Sequence, residues 1–243
     1  RLSALDKFTL VSNSDAHSPN NLAREANVFS GELSFSGIRR ALLEKNLSTL
    51  EFFPEEGKYH YDGHRNCKIR WEPEQTIAAD GRCPICGKRV TVGVLHRVVE
   101  LADRPEGVRP PLARPFESLV PLKQILAEVQ QVGVNSKKVA VAYQELTRSL
   151  GAELDILRKV PIEELDRHGG ALLSESIRRM RNGQVDVLAG YDGEYGKVRI
   201  LTPQLRSEIL GLGTLFKMEE PPARPKKKTA KISKSVLAAH EQA

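Results

Sequence analysis

The apolar positions of this chain change rhythm several times along its 243 residues. FTLVS (residues 8–12) alternates and predicts an extended strand. Ser18-Pro19 has the form of a helix N-cap with proline at the first helical position and predicts a helix through NLAREANVF. GIRRALLEKN predicts a second helix and STLEFF a second strand. Residues 1–54 therefore look like the C-terminal end of an α/β domain, too short to close a sheet alone. Over residues 55–104 histidine, cysteine and glycine replace periodic apolar residues, as in a small metal-held module. Residues 105–120, within a run holding five prolines up to Pro121, predict an extended linker on a surface. From Pro121 the helical period returns in PLKQILAEVQQ, SKKVAVAYQELTRSL, PIEELDRHG and ALLSESIRRMRNG. Pro121, Ser136 and Pro161 stand where helices start, and Gly151, Gly169 and Gly183 where they stop. QVDVLAGYDGEYGKVRIL alternates around a glycine-rich turn and predicts a hairpin inside a helical domain over 121–218. The expected fold class is α/β followed by α.

Hydrophobic residues make up 40% of the chain, enough for ordinary cores. No stretch approaches the roughly 20 apolar residues of a membrane span, and no charged-then-apolar leader precedes the first strand, so the expectation is a cytoplasmic protein with no membrane partner. The net charge of +6 is concentrated at the end, where PPARPKKKTAKISKS carries six basic residues and no acid. Residues 219–243 are expected to form a disordered basic tail. Counterion release would favour its binding to nucleic acid, a protein partner is an alternative, and a merely solubilising terminus is the plainer reading.

Of the three cysteines, two lie in one CxxC, which suits a metal site better than a disulfide framework. HRNC (64–67) is followed fifteen residues later by CPIC (83–86) and Gly87. Structural zinc takes four soft or borderline ligands in a tetrahedron, and two ligand pairs on tight turns are the usual supply. Cys67, Cys83 and Cys86 leave one place. His64 has the spacing of the partner turn, with His60 and His96 as competitors. A redox CxxC would need a thioredoxin-like βαβ setting, which residues 55–92 do not offer.

SNSDAH (12–17) places Asp15 and His17 two apart at the end of the first expected strand. Alternate residues of an extended segment face the same way, so the pair could face one metal ion, while Asp and Ser before Pro also make ordinary helix caps. LVSNSDAHSPNNLAREANVF, EFFPEEGKYHYDGHRNC, CPICGKRVTVGVLHRVVELADR and GYDGEYGK, in that order from residue 8 to about 216, resemble the endonuclease Q family, DNA-repair nucleases of the polymerase and histidinol phosphatase (PHP) superfamily. The resemblance implies that residues 1–54 end a PHP-type α/β barrel. Asp15 and His17 then match the Asp-x-His that closes the superfamily's series of metal-binding motifs. The earlier motifs, which begin with a His-x-His, are missing. The chain is accordingly expected to be the C-terminal portion of a longer protein, catalytically dead by itself. The implied reaction is phosphodiester cleavage 5′ to a deaminated base such as uracil or hypoxanthine, or to an abasic site, in damaged double-stranded DNA. A cluster of divalent Zn, Mg or Mn would activate water there.

In this light Arg65, Lys68, Arg70, Lys88 and Arg89, around the cysteine turns, are candidates for gripping phosphates, against the plain reading of a solvated surface. Tyr191 and Tyr195 are candidate base or sugar contacts. GYDGEYGKV is not a Walker loop: five residues, not four, separate Gly190 from Gly196, and Val198 follows Lys197. Arg178, Arg179 and Arg181 complement a helix dipole as readily as a phosphate, and His168 reads as a cap residue. A non-catalytic DNA-binding or helicase-associated zinc module, and a small-molecule phosphoesterase on the same barrel, are the alternative functions.

Overall fold

The structure is a computed structural model that describes residues 1–111 and 113–211. The basic tail expected over 219–243 lies outside the described residues. Nearest the N-terminus, β1 (Ala26–Phe29) pairs antiparallel with β2 (Leu47–Glu51), and α1 (Phe35–Leu43) connects them. The Ser34 hydroxyl caps α1 by accepting from the Gly37 N–H at 3.0 Å.

Two expected elements are absent here. Among the described residues FTLVS finds no strand partner; Asn27 instead accepts from the Ser12 N–H at 3.0 Å and donates to the Ser12 carbonyl at 2.8 Å. One side chain thus satisfies the peptide groups a neighbouring strand would have taken, and Phe8, Leu10 and Val11 remain exposed. The helix expected over NLAREANVF shrinks to a 3-10 turn at Pro19–Asn21, and Ala23 turns the chain with φ +57°. Its last four residues become β1, because cross-strand pairing with β2 outweighs local helix propensity.

The proline-rich linker is not wholly free either. Its end forms β5 (Phe116–Ser118), which pairs parallel with β2, and the Arg158 guanidinium holds Glu117 at 2.8 and 2.6 Å. The sheet has the order β1-β2-β5 and is open: three strands of mixed direction, which among the described residues do not close into the expected barrel.

Between β2 and β5 sits the cysteine-bearing module: the short hairpin β3 (Asp62–His64) and β4 (Ile69–Trp71), then α2 (Pro73–Ala78) and α3 (Val94–Leu101). The two helices were not foreseen, although Pro73 at the first helical position and the reciprocal Glu72/Gln75 capping box are legible start signals for α2.

The helical domain follows as α4 (Leu122–Gln130), α5 (Lys137–Leu150), α6 (Glu153–Arg158), α7 (Ile162–Gly169) and α8 (Ala171–Arg181). Pro121, Ser136 and Pro161 are N-caps and Gly151 and Gly170 are C-caps with φ +95° and +77°, close to the expected boundaries. Leu122, Ile125 and Leu126 of α4, Val139 and Leu146 of α5, and Leu173, Ile177 and Met180 of α8 recur at helical spacing and fill one core, which continues through Leu119 and Val120 to Leu50 of the sheet. The expected hairpin is β6 (Asp186–Leu188) with β7 (Lys197–Arg199), after which comes α9 (Pro203–Ile209). None of the described helices is long and apolar enough to cross a membrane.

The hairpin's turn leaves its own domain and lies on the cysteine module. Gly190 N–H donates to the Glu55 carbonyl (2.7 Å), Tyr61 N–H to the Gly190 carbonyl (2.9 Å), Gly193 N–H to the Lys58 carbonyl (2.9 Å) and Gly196 N–H to the Glu56 carbonyl (3.0 Å). The approach is backbone on backbone. A Cβ at Gly190 would lie 2.4 Å from the Gly57 carbonyl oxygen and one at Gly196 2.0 Å from that of Glu55, which is why glycine occupies both. The N–H groups of both glycines are thereby committed to carbonyls of the module.

Candidate metal centre and nucleic-acid face

The strand β3 ends at His64, a 3-10 turn carries Arg65–Cys67, and Lys68 in the left-handed region (φ +55°) sends the chain back into β4. On the facing loop Cys83 N–H donates to the Lys88 carbonyl and Gly87 N–H to the Cys83 carbonyl, both at 2.8 Å, with Gly87 at φ +71°. The two turns aim one imidazole nitrogen and three sulfurs at a common point: the ligand atoms of His64, Cys67, Cys83 and Cys86 all lie within 4.8 Å of one another, and Cys86 Sγ is 3.9 Å from His64 Nδ1. A zinc–sulfur bond of about 2.3 Å implies a tetrahedron edge of about 3.8 Å, so this donor set fits a closed four-coordinate ion with little adjustment. All three cysteines are free. Burial, reinforced by neighbouring thiols, pushes the Cys67 thiol up to about 11. Burial also raises Cys83, but N–H groups of Cys86 and Ile85 more than offset it and its value is lowered, as suits a thiolate turned into a nest of amides.

The competing histidines are placed elsewhere. His96, on α3, puts Nδ1 2.5 Å from Oδ2 of Asp62, whose other oxygen accepts from the Gly93 N–H at 2.6 Å. Asp62 is fully buried, so His96 partners a carboxylate that would otherwise be stranded. The His60 carbonyl accepts from Leu95 N–H, and its ring lies against Tyr61, outside the four-ligand group.

Asp192 was missed by the sequence reading. Sitting in the hairpin turn at φ +44°, it accepts from the Arg65 N–H and from the Thr91 hydroxyl, both at 2.6 Å. It therefore ties the hairpin to the residue that follows His64. Burial raises its carboxyl, but these two donors prevail and hold it below the ordinary range. The Asp-Gly pair was the available signal, since aspartate tolerates the left-handed region better than most residues.

Asp15 and His17 are both exposed, but they do not form the alternating strand expected of them. Asp15 has φ +46°, and His17 Nδ1 lies 2.7 Å from the Asp15 carbonyl oxygen, which leaves Nε2 as the free ring nitrogen. Next to them Ser14 lines a cleft of about 660 Å³, walled by the 20–25 loop, by Glu56 and Gly57, by Gln124 of α4 and Leu157 of α6, and by Tyr195. Burial raises the carboxyls of Glu25 and Glu56 on this wall.

Arg65, Lys68, Lys88 and Arg89 are exposed around the cysteine turns. Arg70 and Tyr191 are different. The Arg70 guanidinium covers the Tyr191 ring at 4.8 Å, and Tyr191, 4% exposed, packs on Gly63. Tyr191 is thus part of the joint between hairpin and module and offers no face to a base, whereas Tyr195 is 73% exposed. In α8, Arg178 pairs with Glu175, Arg179 donates to the Ile200 carbonyl, and Arg181 donates to the carbonyls of Ile156, Leu157 and Val160 at the end of α6. These arginines are committed to the fold.

Residues 121–184 match the family model described as the MJ0043 C-terminal domain. The chain is 32% identical over 203 residues to the uncharacterized protein MJ0043 of Methanocaldococcus jannaschii, spanning 80% of this chain and 26% of that one. It is 29% identical over 204 residues to the uncharacterized protein YqxK of Bacillus subtilis, spanning 82% of this chain and 48% of that one. The chain therefore covers about a quarter and about half of these two relatives. Among solved structures, the lesion-specific endonuclease PfuEndoQ from Pyrococcus furiosus is similar, with a TM-score of 0.75 and 29% identity over 84% of this chain and 52% of that one. An endonuclease Q complex with a 27-mer duplex substrate carrying an abasic lesion at the active site gives a TM-score of 0.71 and 30% identity over 86% and 53%.

Proposed function

We propose, from the premise that this chain is endonuclease Q-like, that it is the DNA-gripping C-terminal portion of a DNA-repair endonuclease which cuts 5′ to deaminated bases or abasic sites in double-stranded DNA. The likeness to a lesion-specific endonuclease across more than four-fifths of the chain carries the reading. In it, residues 1–54 end a PHP barrel, 55–104 form a zinc-binding module, 105–120 are a linker whose end joins the sheet as β5, and a helical domain runs on from residue 121.

His64, Cys67, Cys83 and Cys86 would hold a structural zinc ion, which would stiffen the module and, with all four places taken by protein, offer none to substrate. Asp15 and His17 would be two of the residues that hold a cluster of divalent ions, the Asp15 carboxylate and the unengaged Nε2 of His17 being the groups available for it. When bound, such a cluster supplies Lewis acidity toward the phosphate and a reactive water. Arg65, Lys68, Lys88 and Arg89 hold phosphates on the exposed side of the module. The cleft beside Ser14 receives the base turned out of the duplex; a lesion eases that step, because extrusion costs a few kcal/mol and least for a mispaired base.

Binding of the 243-residue chain to abasic, uracil-containing and undamaged duplexes over a salt series tests the reading. A preference for damaged duplex that persists as salt rises is expected, and equal affinity for all three refutes it. No cleavage is expected from this chain alone, because Asp15 and His17 are two ligands of a larger set; robust metal-dependent cutting of uracil-containing DNA by it would refute that part.

A further inference from the structure

The hairpin turn and the module together build a feature that neither segment shows alone. Lys58 Nζ lies 5.6 Å from the Tyr59 ring centroid and 5.7 Å from that of Tyr195, so one ammonium serves two aromatic rings from segments more than a hundred residues apart. Both rings are open to solvent, Tyr59 at 46% and Tyr195 at 73%. Gly193 completes the group: a Cβ there would lie 3.4 Å from Arg65 Nη1 and 3.7 Å from the Tyr59 hydroxyl, so a second cation and the phenol flank the same turn. Tyr195 and the adjoining Gly196 also line the 660 Å³ cleft, which puts the group at its mouth.

Two exposed tyrosines held by backbone docking are expensive to display and contribute little to the core. Solvent-facing aromatic rings interleaved with lysine and arginine are what an unpaired nucleotide needs: a flat face for the base and a cation for the phosphate beside it. We infer that Tyr59 and Tyr195, bridged by Lys58, form a stacking platform for an unpaired nucleobase at the mouth of the cleft, with Lys58 and Arg65 taking the neighbouring phosphates. This deepens the reading above and rests on it, since the unpaired base is one that lesion binding would free from its partner.

The test separates the two claims by using single-stranded DNA for the platform and duplex preference for the function. A fluorescent oligothymidylate of about ten nucleotides is titrated against the zinc-loaded chain. Tyr195→Ala is expected to weaken binding by about tenfold and Tyr59→Ala similarly, while Tyr195→Phe, which keeps the ring, restores it to within about twofold. Lys58→Gln should reduce the slope of log affinity against log salt by about 0.7, the signature of one lost phosphate contact on a single strand. Zinc content and thermal midpoint of the exposed Tyr195→Ala variant serve as folding controls. Wild-type-like binding by both alanine variants, or failure of the unaltered chain to bind the oligonucleotide, overturns the platform. Loss of damaged-duplex preference in the unaltered chain overturns the function instead.

Discussion

Replacing Asp192 by alanine probes the joint between hairpin and cysteine module. The carboxylate accepts two hydrogen bonds of 2.6 Å, from the Arg65 N–H and the Thr91 hydroxyl, across more than a hundred residues of sequence. A hydrogen bond to a charged group is worth about 1.5–3 kcal/mol net, but Arg65 is exposed and water will replace part of its bond, so the pair together should contribute about 2–3 kcal/mol. Alanine adds about 1 kcal/mol of backbone strain at φ +44°, a conformation that asparagine tolerates far better. Asp192→Ala should therefore lose about 3–4 kcal/mol and Asp192→Asn, which keeps one acceptor and the backbone preference, about 1–2 kcal/mol. In a thermal melt of a protein this size the alanine variant should fall by about 6–16 °C and the asparagine variant by less than half as much. Zinc release to a colorimetric chelator should quicken in the same order, because Arg65 follows a ligand directly. Equal midpoints for wild type and Asp192→Ala would refute the clamp, and equal losses for the two variants would show that the charge, not the backbone, is what counts.

The zinc-bound chain should carry about one tightly held ion, and His64→Ala should lose it while His96→Gln keeps it, as measured by metal analysis after dialysis. His96→Gln should nonetheless be destabilised by about 2–4 kcal/mol, because Asp62 is fully buried and, among the described residues, retains only the Gly93 N–H as a strong partner. The Arg158 guanidinium holds the Glu117 carboxyl below the usual glutamate value of 4.5. A depressed folded value means that the stabilisation is present above the unfolded value and is lost as pH falls from about 5 through the folded one. Glu117→Gln should therefore flatten that part of the stability–pH curve in denaturant titrations, and an unchanged slope would show the ion pair to be idle.

The features legible in the sequence were those set by local chemistry. Helix starts at Pro121, Ser136 and Pro161 and the stop at Gly151 follow from capping and φ, and the helical periods of α4, α5 and α8 are strong because each buries one stripe. The gathering of His64, Cys67, Cys83 and Cys86 was legible for the same reason, since each pair sits on a turn only a few residues long. What failed depended on distant partners. Phe8 to Ser12 alternates as a strand should, yet the Asn27 side chain takes up the Ser12 peptide groups; NLAREANVF carries a helix start, yet β2 recruits its last residues. The end of the linker became a strand for the same reason. Tyr191 and Tyr195 are indistinguishable by composition, and only the depth of the hairpin's docking buries one and displays the other.

That docking also alters where this molecule can be cut. The module spanning 55–104 is hydrogen-bonded to a turn some ninety residues downstream, which supplies the Gly190 and Gly193 amides and the Asp192 carboxylate. Severed at the linker, the downstream half would carry away the lid over Gly63 and leave the carbonyls of Glu55, Glu56 and Lys58 to solvent. Exchange of either half between relatives will succeed only if the two strips of backbone travel as a matched pair, so the heritable unit is the seam and not the segment on either side of it.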